Sequence, residues 1–174
     1  MTWKTSDDIR LMDSMLATTL GVEELRRFMQ SHDIRGEIVR LEVPTPTVET
    51  AALAVGTSVD QIIKSILFLV DDHPVMAIAC GLSNIQRRAI ADFYGVGKKK
   101  VKLADPDTVL RVSGYEVGAM PPFGHRQRLN TVIDQRVLEL PSAYAGGGAE
   151  NVLLQLKPQD ILQATGAAVL DLLA

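Results

Sequence analysis

A nearly continuous apolar run from Ile62 to Val70 constrains the fold of this chain more than any other feature of its sequence. The run is rich in Ile, Leu and Val and is followed directly by Asp71 and Asp72, a pattern that predicts a central β-strand. The next apolar run, Pro74 to Cys80, predicts its sheet partner, with residues 71–74 as the connecting turn. The chain therefore needs a core built around a sheet.

Lys64 is the one charged side chain within the first of these runs. On a strand it shares a face with Ile62, Ile66 and Phe68, where an ammonium loses hydration and needs a partner or a shifted pKa. The position leaves two interpretations open. Lys64 lines a pocket and holds a phosphate or polarises a carbonyl, or its ammonium reaches past the strand end into water.

Shorter patterns predict several more strands and helices. Apolar alternation predicts strands over residues 36–43, 101–103, 130–134, 136–140 and 152–156. Helical spacing and capping signals predict helices over residues 48–55, 58–61, 83–94, 105–110 and 158–173. Strands interrupted by helices without strict alternation predict an α+β fold with a mixed, barrel-like β-sheet and flanking helices.

Apolar residues also recur at helical spacing between Ser6 and Gln30, which predicts two short helices separated by Gly21. We therefore expect residues 1–35 to form an N-terminal helical extension packed on a core of residues 36–174, within a single globular unit. With 174 residues, of which 47% are hydrophobic, the chain is long enough to bury such a core.

Composition excludes several classes of function. A formal net charge of -3 argues against a protein that coats nucleic acid along its length. A single cysteine, Cys80, allows no internal disulfide, and His32, His73 and His125 lack metal-ligand spacing, so we expect no metal site and no cofactor. Because no apolar run reaches the roughly 18 residues of a membrane span and no signal peptide is evident, we expect a soluble, cytoplasmic protein without membrane contact.

Three further segments are candidate functional elements. The loop from Gly114 to Gly124 combines glycines, which allow close backbone approach, with stiffening prolines, so its N–H groups could bind a carbonyl oxygen; an ordinary turn is the alternative. The run Gly146 to Gly148 could pass close to a nucleotide or form a hairpin turn. Lys98 to Lys100 with Lys102 could meet RNA phosphates or form a solvated charged face.

Taken in order, these motifs resemble the YbaK/ProX family, which includes the editing domain inserted in bacterial prolyl-tRNA synthetases. The resemblance runs from about Ser58 to Leu162. It rests on the lysine-bearing strand, on a G-x-x-x-P signature at Gly118 and Pro122, and on the glycine run with the strand after it. The segment from Arg128 to Asp134 is also similar.

The resemblance implies both the fold and a role for each site residue. Family members hydrolyse the ester that joins a wrong amino acid to the terminal adenosine of a tRNA, most often a tRNA for proline, without a metal. Lys64 would help position the substrate and the Gly118 N–H would bind near the scissile carbonyl, while water or a group of the substrate attacks. The remaining expected substrate-binding residues are Ser65, Ala119, Pro122, Gly146, Gly147 and Gly148.

The resemblance therefore predicts a free-standing, trans-editing deacylase for tRNA-Pro carrying a small amino acid such as Ala or Cys. Gly146 and Leu153 occupy positions that are polar in members acting on cysteinyl-tRNA, so an alanyl group fits at least as well. The expected partner is the 3′ acceptor end of an aminoacyl-tRNA, with a synthetase as a further candidate, and the protein is expected to be a monomer or weak dimer. The alternatives are a non-catalytic tRNA- or synthetase-binding module with the same fold, and a small-molecule binder.

Overall fold

A computed structural model describes residues 18–173 of the chain and contains helices on two β-sheets. The α-helices are α1 Val22–Ser31, α2 Val48–Val55, α3 Arg87–Tyr94, α4 Pro106–Ser113 and α5 Pro158–Thr165. The strands are β1 Gly36–Arg40, β2 Ile63–Val70, β3 His73–Cys80, β4 Val101–Leu103, β5 Asn130–Asp134, β6 Ala143–Gly146, β7 Val152–Leu156 and β8 Ala168–Leu170. Short 3-10 helices span Val59–Gln61, Lys98–Lys100 and Gln135–Glu139.

The two sheets have different pairing patterns. The larger has five strands in the order β4-β2-β3-β5-β8, with β2 antiparallel to β3 and β4, and with β5 parallel to β3 and β8. The smaller is antiparallel, in the order β1-β7-β6. A parallel bridge between Ile62 and Tyr144 joins them at the start of β2. The predicted α+β fold with a mixed sheet and flanking helices is confirmed, although within residues 18–173 the sheets do not close into a barrel.

Strand β2 is apolar over most of its length because both of its faces pack against the core. Ile63 and Leu67 lie in the main core cluster, whereas Phe68 and Val70 lie in a second cluster that also contains Ile90 of α3. Burial on two faces removes the alternation of polar residues that a half-exposed strand would show. The prediction of a central strand with β3 as its partner is confirmed.

The turn between β2 and β3 is shorter than predicted. Only Asp71 and Asp72 form it, and both adopt left-handed φ angles of 48° and 67°. Two-residue hairpin turns of type I′ require such angles at both positions, and Asp tolerates them better than most residues. His73 is already the first residue of β3 and pairs with Val70.

Two further boundaries were predicted wrongly because tertiary contacts decide them. Helix α3 begins at Arg87 and not at Ser83, since the Gln86 N–H donates to the carbonyl of Leu172 and Ile85 forms a bridge with Leu173. These contacts hold the chain before α3 in an extended conformation.

The C-terminal prediction was wrong in a similar way. Helix α5 ends at Thr165, Gly166 follows with a left-handed φ of 62°, and β8 then pairs with β5. Residues 136–140, predicted as a strand, lie mostly in a 3-10 helix, since the Asp134 carboxylate accepts from the Arg136 N–H and starts that turn.

Helix α1 packs directly on the core. Leu25 and Met29 lie in the main core cluster, and Val22 is also buried. The earlier of the two helices predicted between residues 6 and 30 lies outside the described residues, and the division at residue 35 stays a prediction. No helix within residues 18–173 is both long and apolar enough to span a membrane.

Candidate active site

A pocket of about 200 Å³ lies where β2 leaves the junction of the two sheets. We call it the β2 pocket. Several segments line it: residues 62–66 around the start of β2, Val117, Gly118 and Met120 of the glycine-proline loop, Ala145 and Gly146 of β6, Leu153 of β7, and residues 45–48 with Ala51 around the start of α2. Sheet pairing and the two loops therefore bring together segments that are more than 100 residues apart in the chain.

Lys64 lines this pocket, and its ammonium is held by backbone carbonyls. It donates to the carbonyl of Gly81 at 3.1 Å and to that of Ser83, both just beyond the end of β3. Burial lowers the pKa of Lys64, an effect partly opposed by Cys80. Because an ammonium has three N–H donors, the two carbonyls hold the group in place and leave one donor for a ligand.

Gly118 supplies a backbone N–H at the same pocket. It is exposed, has a left-handed φ of 87°, and has open space where a Cβ would lie. Within residues 18–173 the Gly118 N–H donates to no backbone or side-chain acceptor, whereas the neighbouring Ala119 N–H bonds to the Glu116 carbonyl. A donor of this kind suits a ligand carbonyl or a developing oxyanion.

Two buried hydroxyls add an unusual polar feature. The hydroxyl oxygens of Thr45 and Ser65 are buried and have no hydrogen-bond partner among residues 18–173, and both residues line the β2 pocket. An unpaired buried hydroxyl costs about 1–3 kcal/mol, so its presence at a pocket points to a ligand that completes the bond. Sequence reasoning missed Thr45, although its place between Pro44 and Pro46 before a helix was an available signal.

The glycine run and the rest of the loop serve mainly as the wall behind this pocket. A Cβ at Gly146 would lie 2.4 Å from the Met120 carbonyl oxygen, so a glycine is needed where β6 meets the loop. The Gly147 and Gly148 N–H groups donate to the carbonyls of Val152 and Ala119. Of the sequence-predicted site residues, four line the pocket and four do not; the former are Lys64, Ser65, Gly118 and Gly146, and the latter are Ala119, Pro122, Gly147 and Gly148.

Two ring side chains brace the loop that carries Gly118. The Tyr115 hydroxyl donates to the Gly124 carbonyl at 3.2 Å, and His125 Nε2 lies 2.7 Å from the Pro121 carbonyl. Since a carbonyl only accepts, Nε2 carries the proton. Burial lowers the pKa of His125 to about 4 and raises that of Tyr115, so both rings are neutral near pH 7.

The segment before α1 and α1 itself pack against both the glycine-proline loop and the glycine run. The Leu20 N–H donates to the Gly114 carbonyl at 2.7 Å, and the Phe28 ring stacks on Phe123 with centroids 5.4 Å apart. A Cβ on Gly148 would lie 2.9 Å from the backbone of Gly21. The N-terminal segment thus fixes the loop and the glycine run relative to each other.

Residues 42–164 match the family model of the aminoacyl-tRNA editing domain. The chain belongs to this family. The matched range includes the residues that line the β2 pocket, and the resemblance inferred from the three sequence motifs is confirmed. Within residues 18–173, no group of three His, Cys, Asp or Glu side chains could hold a metal ion.

Individual relatives agree with this family. YwhH of Bacillus subtilis (strain 168), an uncharacterized protein, is 23% identical over 143 residues, which are 82% of this chain and 89% of YwhH. The proline--tRNA ligase of Lactiplantibacillus plantarum is 25% identical over 122 residues, 70% of this chain but 21% of the ligase. The matched segment thus spans about a fifth of that ligase.

Solved structures share the fold. The crystal structure of a proposed trans-editing enzyme for prolyl tRNA synthetase superposes with a TM-score of 0.81 at 27% identity, covering 88% of this chain and 96% of that chain. Hypothetical protein APE2540 gives a TM-score of 0.80 at 27% identity, with 86% and 98% covered. Both cover more of the chain than the family model, and so extend the likeness beyond the motif-bearing residues.

Proposed function

We propose that this protein hydrolyses, in trans, the ester bond of a mischarged aminoacyl-tRNA, with tRNA-Pro carrying a small amino acid such as Ala or Cys as the substrate. One observation carries the proposal: the unpartnered hydroxyls of Thr45 and Ser65 and the free N–H of Gly118 line one pocket with Lys64. The family supports editing of aminoacyl-tRNA. The proposed trans-editing enzyme of the same fold supports action in trans on tRNA-Pro.

The chemistry needed is addition of water to an ester carbonyl. As the water oxygen bonds to the carbonyl carbon, the carbonyl oxygen becomes an oxyanion, which the Gly118 N–H stabilises. One such donor lowers the activation barrier by about 3 kcal/mol. The bond to the ribose oxygen then breaks, that oxygen takes up the proton that the attacking water has lost, and a free amino acid and uncharged tRNA result.

Lys64, Ser65 and Thr45 orient the ester and do not attack it. The remaining Lys64 N–H is a donor for a substrate oxygen, while the two hydroxyls can donate or accept with the α-amino group or with the attacking water. Within residues 18–173 no histidine lines the β2 pocket to serve as base for Ser65. The sulfur of Cys80 is buried and burial raises its pKa, which disfavours a thiolate nucleophile. Catalysis would rest on orientation and electrostatics.

The dimensions of the pocket favour a small acyl group. Its lining includes the buried residues Ala51, Met120 and Leu153, and its volume is about 200 Å³. A synthetase that must distinguish two amino acids differing by one methylene gains only about 1–3 kcal/mol of discrimination. An editing pocket that admits only small acyl groups adds a second selection, by size. This supports alanine, cysteine or another small amino acid as the acyl group that is removed from the tRNA.

A deacylation screen tests the proposal. Purified protein is offered tRNA-Pro charged with Ala, Cys, Ser or Pro, and other tRNAs charged with small amino acids. We expect turnover of at least one mischarged tRNA-Pro well above the uncatalysed rate. If every substrate decays at the background rate while the charged or uncharged tRNA still binds, the alternative of a non-catalytic tRNA-binding module is correct.

A further inference from the structure

Residues 171–173, which follow β8, connect two separate parts of the fold, and we call them the C-terminal strap. The Leu172 N–H donates at 2.7 Å to the carboxylate of Asp134, the buried last residue of β5. The Leu172 carbonyl accepts from the Gln86 N–H, just before α3, also at 2.7 Å. One residue of the strap therefore joins the larger sheet to the segment that leads from β3 to α3.

That segment, residues 81–86, also carries the two carbonyls that hold the Lys64 ammonium, those of Gly81 and Ser83. We infer that the C-terminal strap positions Lys64 by fixing one end of the segment and, through it, the Ser83 carbonyl. Asp134 is then a positioning residue that acts through the strap, since it does not line the β2 pocket. The inference rests on the proposed function and adds to it a determinant outside that pocket.

Residues 82–84 have little support apart from the ends of their segment. All three are exposed, and their N–H groups donate to no acceptor in the part of the chain that the structure describes. A cavity of about 480 Å³ is lined by Leu82 and Ser83 together with Arg136 and Leu173. Because side chains across a gap of this size lose their packing contacts, the position of the Ser83 carbonyl depends on how the segment is held at its two ends.

The two ends of the segment are held in different ways. Gly81 is fixed by the larger sheet, because its N–H donates to the Ile62 carbonyl at 3.0 Å where β2 begins. The other end is fixed by the strap, through the hydrogen bond of Gln86 and the bridge of the residue before it. A displaced strap would therefore move the Ser83 carbonyl and leave that of Gly81 in place, so that Lys64 would lose one of its two acceptors.

The contacts of the strap with the sheet make it the fixed partner. The Asp134 carboxylate accepts from the N–H and the guanidinium of Arg136 as well as from Leu172, as a buried carboxylate needs to. Asp171 of the strap pairs with the same guanidinium at 2.9 Å. The Leu172 side chain is itself buried in the second core cluster. The exposed segment before α3 therefore takes its position from the strap.

Gln86 allows the contact with the strap to be removed at a single atom. Its φ of -82° and the extended conformation of Ile85, which bridges to Leu173, are both compatible with a proline at this position. In Gln86→Pro a Cδ replaces the N–H and cannot approach the Leu172 carbonyl to 2.7 Å. Gln86→Ala is the matched control, because it keeps the N–H and the Gln86 side chain does not cap α3.

The first measurement follows the Lys64 side chain and needs no turnover. Its Cε–Hε signal is observed by NMR on the full chain and assigned with Lys64→Arg, while thermal denaturation confirms that each variant folds. We expect Gln86→Pro to shift this signal toward that of the exposed Lys157, and Gln86→Ala to leave it unchanged. A Lys64 signal that is identical in wild type and Gln86→Pro overturns the inference.

The second measurement separates positioning from a merely structural role. With mischarged tRNA, Gln86→Pro should lower kcat roughly tenfold at nearly constant KM, because an orienting group is misplaced. In a Lys64→Ala background the same change should have no further effect, since both changes act through one group. If Gln86→Pro lowers kcat by the same factor in both backgrounds, the strap acts independently of Lys64 and the inference is overturned.

Asp134→Asn is the second variant, for use if Gln86→Pro fails to fold. An amide offers one acceptor oxygen where the carboxylate offers two, so the contacts that fix the strap are weakened in either orientation of the side chain. This variant should also shift the Lys64 signal, and an unchanged signal contradicts the inference. If the signals shift but the wild type deacylates no tRNA, the proposed function fails while the control of Lys64 by the strap stands.

Discussion

The N–H of Gly148 donates to the carbonyl oxygen of Ala119 at 2.9 Å, and this hydrogen bond ties the glycine run after β6 to the loop that carries Gly118. Gly148 has a left-handed φ of 96°, and a Cβ there would press on the backbone of Gly21. The N-terminal segment, the glycine run and the loop therefore meet at one point. Their arrangement sets where the Gly118 N–H lies.

Gly148→Ala should consequently reduce deacylation more than its effect on stability would explain. The added Cβ must displace either Gly21 or the bond to Ala119, and a misplacement of about 1 Å at a reacting group can cost up to 100-fold in rate. Steady-state kinetics and thermal unfolding would be measured together. Gly97→Ala is the control, because its Cβ would meet nothing within 4 Å and its φ of -68° suits alanine. Equal activity of the two variants would contradict the claim that the contacts of Gly148 position the loop that carries Gly118.

Lys64→Ala should lower kcat by roughly 10- to 100-fold while the free energy of unfolding changes by about 1 kcal/mol or less. The ammonium forms hydrogen bonds only with the carbonyls of Gly81 and Ser83 among the described residues, so no buried counter-charge is left unpaired. Lys157→Ala, at an exposed lysine before α5, is the matched control and should retain activity. A Lys64→Ala protein that unfolds would show that the lysine is structural.

Removing either unpartnered hydroxyl should lower activity without lowering stability. In Thr45→Val and Ser65→Ala a buried polar atom without a partner is lost, so the free energy of unfolding should stay constant or rise slightly while kcat/KM falls. Thr131→Val is the control at a buried hydroxyl that has a partner, since the Thr131 hydroxyl donates to the Leu129 carbonyl at 3.0 Å. That variant should lose about 1 kcal/mol of stability and keep its activity.

Stability should fall at acid pH because of His125. Its pKa is lowered to about 4 in the folded protein by burial, against about 6.5 in the unfolded chain. Between these values the unfolded state binds the proton first, so the free energy of unfolding drops as the pH falls from about 6.5 to about 4, by up to about 3 kcal/mol. Denaturant titrations of wild type and His125→Gln from pH 4 to 8 would measure this. His73→Gln, at the exposed first residue of β3, should keep the wild-type profile.

Lys99→Ala and Lys102→Ala should raise KM for aminoacyl-tRNA and leave kcat nearly constant. If each lysine neutralises one phosphate, each variant should also reduce the slope of log affinity against log salt by about 1. Titrations at several salt concentrations test this, with Lys157→Ala as the control again. Unchanged slopes would show that these lysines lie on a solvent-exposed surface and do not contact the tRNA phosphates.

Elements with a local signal were predictable. Gly56 and Gly95 end α2 and α3 in left-handed conformations, and the Asp105 carboxylate caps α4, because caps depend on residues next to each other in the chain. Strand β8 was missed because its pairing with β5 depends on a partner more than 30 residues away. Helical spacing continued past Gly166 and carried no sign of that contact.

The sequence by itself determined which residues form β2, that Lys64 interrupts its apolar run, and that three motifs identify the editing-domain family. These are properties of neighbouring residues and of their order along the chain. Only the tertiary structure decided that Thr45 joins Ser65 and Gly118 at one pocket, and that the Lys64 ammonium rests on two carbonyls beyond β3. Those relationships depend on sheet pairing between distant segments and on whether a buried hydroxyl finds a partner, which no local pattern of residues specifies.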